Sequence, residues 1–112
     1  MNMQVKGIGG VGIKVTEEMF AKMIDADWFS DDLEPSDDAC ECLEEAAEII
    51  GCKLEVGGDS VNEGESRYYL LVDSDTLFGC VEKSAEFLGK LNEIGINVTS
   101  KDLKIISDFV IY

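Results

Sequence analysis

Residues 36–51 read SDDACECLEEAAEIIG, and this stretch decides the fold. At 100° per residue, its apolar side chains gather on one face of an α-helix and its acids on the opposite face. Ser36 is the expected N-cap, and Gly51 is the expected residue just past the helix end. The apolar face consists of Ala39, Leu43, Ala46, Ala47 and Ile50.

The acidic face of this helix is electrostatically unfavourable. Glu41/Glu45 and Glu44/Glu48 are like charges at i,i+4, and each such pair costs a few tenths of a kcal/mol. Acids in the C-terminal half of the helix also oppose its dipole. We therefore expect the helix to form because its apolar face packs against a core.

The concentration of acidic residues extends beyond this helix. Between Lys22 and Lys53 lie 11 of the chain's 24 acidic residues and none of its nine bases, in a protein of formal charge −15. A block of like charge repels itself and destabilises the compact state. Its concentration in one segment predicts a surface that meets a cationic molecule.

The flanking sequence predicts the rest of a single domain over residues 1–112. Thr16 is the expected N-cap of a helix that ends near residues 25–27. We expect strands at 3–15 (as a short hairpin turning at Gly9-Gly10), 53–56, 67–72 and 103–112, and a third helix at about 75–93. The strands at 53–56 and 67–72 are expected to pair as a hairpin. This order predicts an α+β fold, a mostly antiparallel sheet of about four or five strands with two or three helices packed on it.

Several classes of site are disfavoured. The chain has no His, which removes Cys–His catalysis within one chain. The glycines between Gly7 and Gly12 match G-x-G-x-x-G, but strand-forming residues follow them where a dinucleotide site needs a helix. The acidic segments fail the EF-hand pattern. We expect no enzyme activity, no cofactor and no metal.

Four cysteines lie at positions 40, 42, 52 and 80. They contain no C-x-x-C pair of the zinc-ribbon kind. Cys40 and Cys80 fall on or beside the apolar faces of two expected helices. We expect small buried thiols in a reducing cytoplasm. The sequence also has no apolar run of about 18 residues, so we expect no membrane association.

These features favour a small cytoplasmic protein, a monomer or homodimer, that binds a basic partner. Its most specific form is a nucleic-acid mimic that occupies the groove of a Lys/Arg-rich nucleic-acid-binding protein, without binding nucleic acid itself. Six acids across residues 37–48 of a helix would give about one charge per 2.8 Å, near the 3.4 Å spacing of a single strand. The candidate contacts are Asp31, Asp32, Glu34, Asp37, Asp38, Glu41, Glu44, Glu45 and Glu48, with Trp28 and Phe29 as apolar anchors.

Small acidic phage proteins that block restriction or CRISPR effectors are similar to this chain in size and charge. Two alternatives belong to other classes. Asp73 and Asp75 could serve a small acidic metal-binding domain or enzyme. The last strand, Leu103–Tyr112, could instead pair between copies of a structural or assembly subunit.

Overall fold

The computed structural model describes residues 4–35, 37–59, 66–72 and 77–111. Within these ranges the chain forms three helices and four strands, which confirms the α+β class. In chain order the elements are β1 (Val5–Lys14), α1 (Glu17–Asp25), α2 (Ala39–Ile50), β2 (Lys53–Asp59), β3 (Arg67–Leu71), α3 (Leu77–Glu93) and β4 (Lys104–Ile111).

The four strands form one mixed sheet in the order β1-β3-β2-β4, and β4 also pairs with β1, so that the sheet closes on itself. The pairing is mostly antiparallel, as expected, and β2 with β4 is the parallel pair. The expected hairpin is confirmed, with β2 and β3 in register from Lys53↔Leu71 to Gly57↔Arg67.

The expected turn at Gly9-Gly10 is wrong, because β1 is one continuous strand. Its first part pairs with β4 and its last part with β3, and Gly12 is paired with both Lys104 and Leu71. A Cβ on Gly12 would lie 2.0 Å from the Leu70 carbonyl oxygen. The glycines therefore let β1 pass from one neighbour to the other, a role that sequence reasoning assigned to a turn.

The main core lies between the three helices and one face of the sheet. Ile13 and Leu70 contribute from the strands, and Met23 contributes from α1. The Thr16 hydroxyl accepts a hydrogen bond from the Met19 N–H at 3.2 Å, which confirms the expected cap of α1. Phe87 and Leu91 contribute from α3, and both are fully buried. No helix in the described ranges is long and apolar enough to cross a bilayer.

A polar network links β3 to β4, which are not hydrogen-bonded neighbours. Arg67 donates to Asp108 from Nε at 2.7 Å and from Nη2 at 3.0 Å, and the Tyr69 hydroxyl donates to the same carboxylate. A Cβ on Gly57 of β2 would lie 2.5 Å from Asp108 Oδ2, so glycine makes room for this carboxylate. Hydrogen bonds from Arg67 hold the pKa of Asp108 far below its usual range.

Candidate acidic interface

The helix α2 begins at Ala39, two residues later than its acidic pattern predicts. Asp38 occupies the N-cap position without a side-chain cap, and its Oδ2 instead accepts from the Glu34 N–H at 3.1 Å. Asp37 and Asp38 therefore belong to the acidic loop, which we define as residues 26–38. The expected cap, Ser36, lies outside the described residues.

The shorter helix changes the charge spacing. Four acids remain on α2, from Glu41 to Glu48. At a rise of about 1.5 Å per residue they cover about 10.5 Å, so successive charges are on average about 3.5 Å apart along the axis. This spacing is still closer to that of a single strand than to that of a duplex, at about 3.4 Å and about 1.7 Å.

The apolar face of α2 is placed largely as the sequence predicts. Leu43, Ala46, Ala47 and Ile50 are buried, and Gly51 ends the helix in the left-handed conformation at φ 80°. Cys42 is fully buried, as expected of the cysteines, whereas Cys40 is exposed. The expectation that Cys40 is a buried thiol is therefore wrong. The Cys80 side chain lies outside the described part of the structure.

Three glutamates form the open surface of α2. Glu41, Glu44 and Glu48 are exposed. Together with Glu45 and Leu33 they line a shallow groove of about 420 Å³ between the helix and the acidic loop. The half-buried Leu33 gives this groove one apolar wall. Its carboxylate rim and apolar wall suit a long basic side chain, which has an apolar stem and a cationic end.

The protein's own bases do not neutralise this surface. Among the residues that the structure describes, none of the nine candidate carboxylates forms an ion pair with a Lys or Arg. Lys53 pairs with Glu55 of β2 at 2.9 Å, and Arg67 pairs with Asp108 of β4. The acidic charge therefore remains available to another molecule.

Glu45 differs from the other candidates. Its Oε2 accepts from the Ser30 N–H at 2.8 Å, and its Oε1 accepts from the Ser30 hydroxyl. These hydrogen bonds lower the pKa of Glu45. Glu45 thus ties the acidic loop to α2. Sequence reasoning missed this role, because a contact across 15 residues leaves no periodic signal.

The candidate acids of the loop follow Ser30, the residue that Glu45 binds. Asp31 and Asp32 are exposed in a turn just after Ser30, which the Leu33 N–H closes by donating to the Ser30 carbonyl at 3.1 Å. Glu34 is also exposed. The helix glutamates therefore line the groove, whereas the five candidate acids of the loop lie outside its lining.

The two aromatic candidates lean toward the core. Trp28 and Phe29 are half-buried and pack against the main core. The Phe29 ring lies 5.4 Å from the Phe20 ring of α1, centroid to centroid. Sequence reasoning left open whether these rings face a partner or tuck under the helices. Their packing fixes the start of the acidic loop and leaves part of each ring accessible.

The alternative metal site has no geometric support within the described ranges. They contain no group of three His, Cys, Asp or Glu side chains placed to hold a metal ion. Asp73 and Asp75, which that alternative uses, lie outside the described residues. Burial, and then the nearby glutamates, raise the pKa of the Cys40 and Cys42 thiols, which disfavours thiolate chemistry at neutral pH.

Comparison with known proteins adds no relative to this description. The chain matches no protein-family model, no curated protein and no solved structure.

Proposed function

We propose that this protein is a non-enzymatic binding module whose acidic loop and α2 dock onto a basic protein partner. The observation that carries the proposal is the open carboxylate surface of Glu41, Glu44 and Glu48, which no base of the described chain neutralises. The repulsion within this surface costs folding stability, and a cationic partner would relieve it.

The contacts have different roles in this proposal. Glu41, Glu44 and Glu48 meet the partner's cations, and Leu33 packs against the stem of an inserted Lys or Arg. Asp31, Asp32, Glu34, Asp37 and Asp38 extend the charged surface along the loop. Glu45, Trp28 and Phe29 hold the loop in place from behind.

The most specific form of the proposal is nucleic-acid mimicry. Counted with Glu45, which is hydrogen-bonded to Ser30, the acids of α2 are on average about 3.5 Å apart along the helix axis, near the spacing of phosphates on a single strand. Such a surface fits a Lys/Arg-lined groove and excludes the nucleic acid that normally occupies it. Phage inhibitors of restriction or CRISPR effectors would be proteins of this type.

The test begins with capture of partners from a lysate at low salt. Proteins retained by the wild type should be identified by mass spectrometry and challenged with duplex and single-stranded nucleic acid. Mimicry predicts that nucleic acid displaces them, because both ligands compete for one groove. Retained proteins that nucleic acid does not displace would support a basic partner and contradict mimicry.

Two charge-reversal variants locate the interface. Glu41, Glu44 and Glu48 changed together to Lys should abolish capture. The matched control changes Glu82, Glu86 and Glu93, which are exposed on α3, and it alters the net charge by the same amount. Equal loss in both variants would mean that only total charge matters, and unchanged capture in the first would remove α2 from the interface.

A further inference from the structure

The helices cover only part of the sheet face against which they pack. Under the helices this face contributes Ile13 to the core. Farther along the β1/β4 ladder the same face is open, and Val5, Ile105 and Phe109 are 67%, 85% and 47% exposed. These are large apolar side chains on one continuous surface, because directly paired residues of antiparallel strands share a face.

This open face carries no charged side chain among its described positions. From β1 it presents Val5, Gly7, Gly9 and Val11, and from β4 it presents Ile105, Ser107 and Phe109. Arg67 lies at its border, with its guanidinium carbon 5.9 Å from the centre of the Phe109 ring, and it is paired with Asp108. In a chain of charge −15, such a surface lets a second acidic molecule approach without facing carboxylates.

The face also has a shape that matches itself. Ile105 and Phe109 make a ridge along β4. Gly7 and Gly9, directly opposite Phe109 and Ser107, make a trough along part of β1, and Val11 lies opposite Ile105. A Cβ on Gly7 would meet no atom within 4 Å, so the trough is open. A second copy turned by a twofold axis places its ridge over the first copy's trough, and the reverse.

We propose that the open β1/β4 face is a self-association surface, through which two copies of this chain pack sheet to sheet about a twofold axis. This arrangement does not involve α2 or the acidic loop. It differs from strand-to-strand pairing of β4, because the two copies would meet through side chains of the sheet face and not through backbone hydrogen bonds.

The size of the face predicts a weak dimer. Seven residues at about 3.3 Å each, on two strands about 4.8 Å apart, give a face of roughly 230 Å² per copy. Stable interfaces bury about 800 Å² per partner. Association should therefore depend on concentration, and salt should strengthen it by screening the repulsion between two acidic molecules.

The experiment is sedimentation equilibrium of the full chain from about 10 μM to about 1 mM, at low and high salt. Wild type should shift toward the dimer mass as concentration and salt rise. Ile105→Lys should weaken association by at least about tenfold, because it removes one buried isoleucine from each ridge. Ile24→Lys is the matched control, since Ile24 is an exposed isoleucine of α1 outside this face.

The variant Gly7→Val distinguishes specific packing of the two faces from non-specific hydrophobic association. It adds apolar surface where the monomer has space, so the fold should persist. It also fills the trough, so the dimer should weaken although the face becomes more hydrophobic. Stronger association of Gly7→Val, or wild type that remains a monomer at about 1 mM in high salt, would overturn the proposal. Salt should act on self-association and on capture of a basic partner in opposite directions, so the two proposals fail separately.

Discussion

Ser30 is held by Glu45 through two hydrogen bonds, one from its backbone N–H at 2.8 Å and one from its hydroxyl. This relationship sets the position of the acidic loop relative to α2. It also takes one glutamate of the acidic cluster out of competition for a partner, because both of its oxygens already accept hydrogen bonds.

Glu45→Gln should loosen the acidic loop while leaving α2 intact. An amide has only one acceptor oxygen, so one of the two hydrogen bonds from Ser30 is lost. Amide hydrogen exchange at Ser30 should accelerate. Glu48→Gln is the control, because it removes a neighbouring charge without touching the loop, and equal acceleration in both variants would contradict the tie.

Reversing the open charges of α2 should preserve or slightly raise stability. Lys at positions 41, 44 and 48 removes the repulsion with Glu45 and places cations near the helix C-terminus. We expect a gain of a few tenths of a kcal/mol to about 1 kcal/mol in the free energy of unfolding at low salt. Urea denaturation at low and high salt measures it, and the gain should shrink as salt screens the charges. A large loss of stability would mean that these glutamates hold the fold.

Asp108 should give the protein an acid-sensitive component of stability. Its pKa is lowered in the fold, so the unfolded chain takes up a proton first as the pH falls. This contribution is fully present above the ordinary pKa of about 4 and is lost progressively below it. Asp108→Asn should cost about 1–3 kcal/mol at pH 7, because the charged acceptor of Arg67 and Tyr69 is gone.

Urea denaturation of wild type and Asp108→Asn between about pH 3 and pH 7 tests this linkage. The difference between the two proteins should shrink as the pH falls below about 4. Asp25→Asn, which removes an exposed carboxylate from α1, controls for the loss of one charge. A difference that stays constant over the whole range would show that the ion pair contributes nothing pH-dependent.

Gly12 should tolerate no side chain. A Cβ at this position would lie 2.0 Å from the Leu70 carbonyl oxygen and 2.8 Å from the Leu71 Cα, and both atoms are backbone. Gly12→Ala should therefore cost about 3 kcal/mol or more, or prevent folding. Thermal melts of both variants measure this. In Gly7→Ala a Cβ meets nothing within 4 Å, so its free energy of unfolding should stay within about 0.5 kcal/mol of the wild-type value.

Cys40 should react with iodoacetamide before Cys42, because Cys40 is exposed and Cys42 is fully buried. The reaction should still be slower than that of a free thiol at neutral pH. Burial and the charges of Glu44 and Glu41 raise the pKa of Cys40, so little thiolate is present. Added salt should speed the reaction by screening the glutamates, and mass spectrometry of the labelled peptides measures both effects.

The sequence predicted the features that depend on local periodicity. The amphipathic pattern of α2 placed Leu43, Ala46 and Ile50 correctly, and Gly51 and Thr16 marked helix termini because their chemistry suits those positions. The α+β class followed from the order of these patterns.

The features that the sequence did not predict depend on tertiary contacts. The glycine-rich part of β1 looked like a turn at Gly9-Gly10, because glycines are common both in turns and in strands that change partner, and only the pairing with two strands distinguishes them. The ties between Ser30 and Glu45 and between Arg67 and Asp108 join distant residues, so no window of sequence contains them. The acidic surface itself was visible in the sequence as a count of charges, but its division into open and engaged glutamates was not.

The pairing of Val5 with Ile111 offers a way to stabilise the protein by cyclisation. These two residues are opposite each other on neighbouring strands, so a short peptide linker from residue 111 back to residue 5 would close residues 5–111 into a circle. Cyclisation restricts the unfolded chain and so favours the native state. None of the nine acidic candidates lies on either strand, so the circular form should keep the proposed acidic interface.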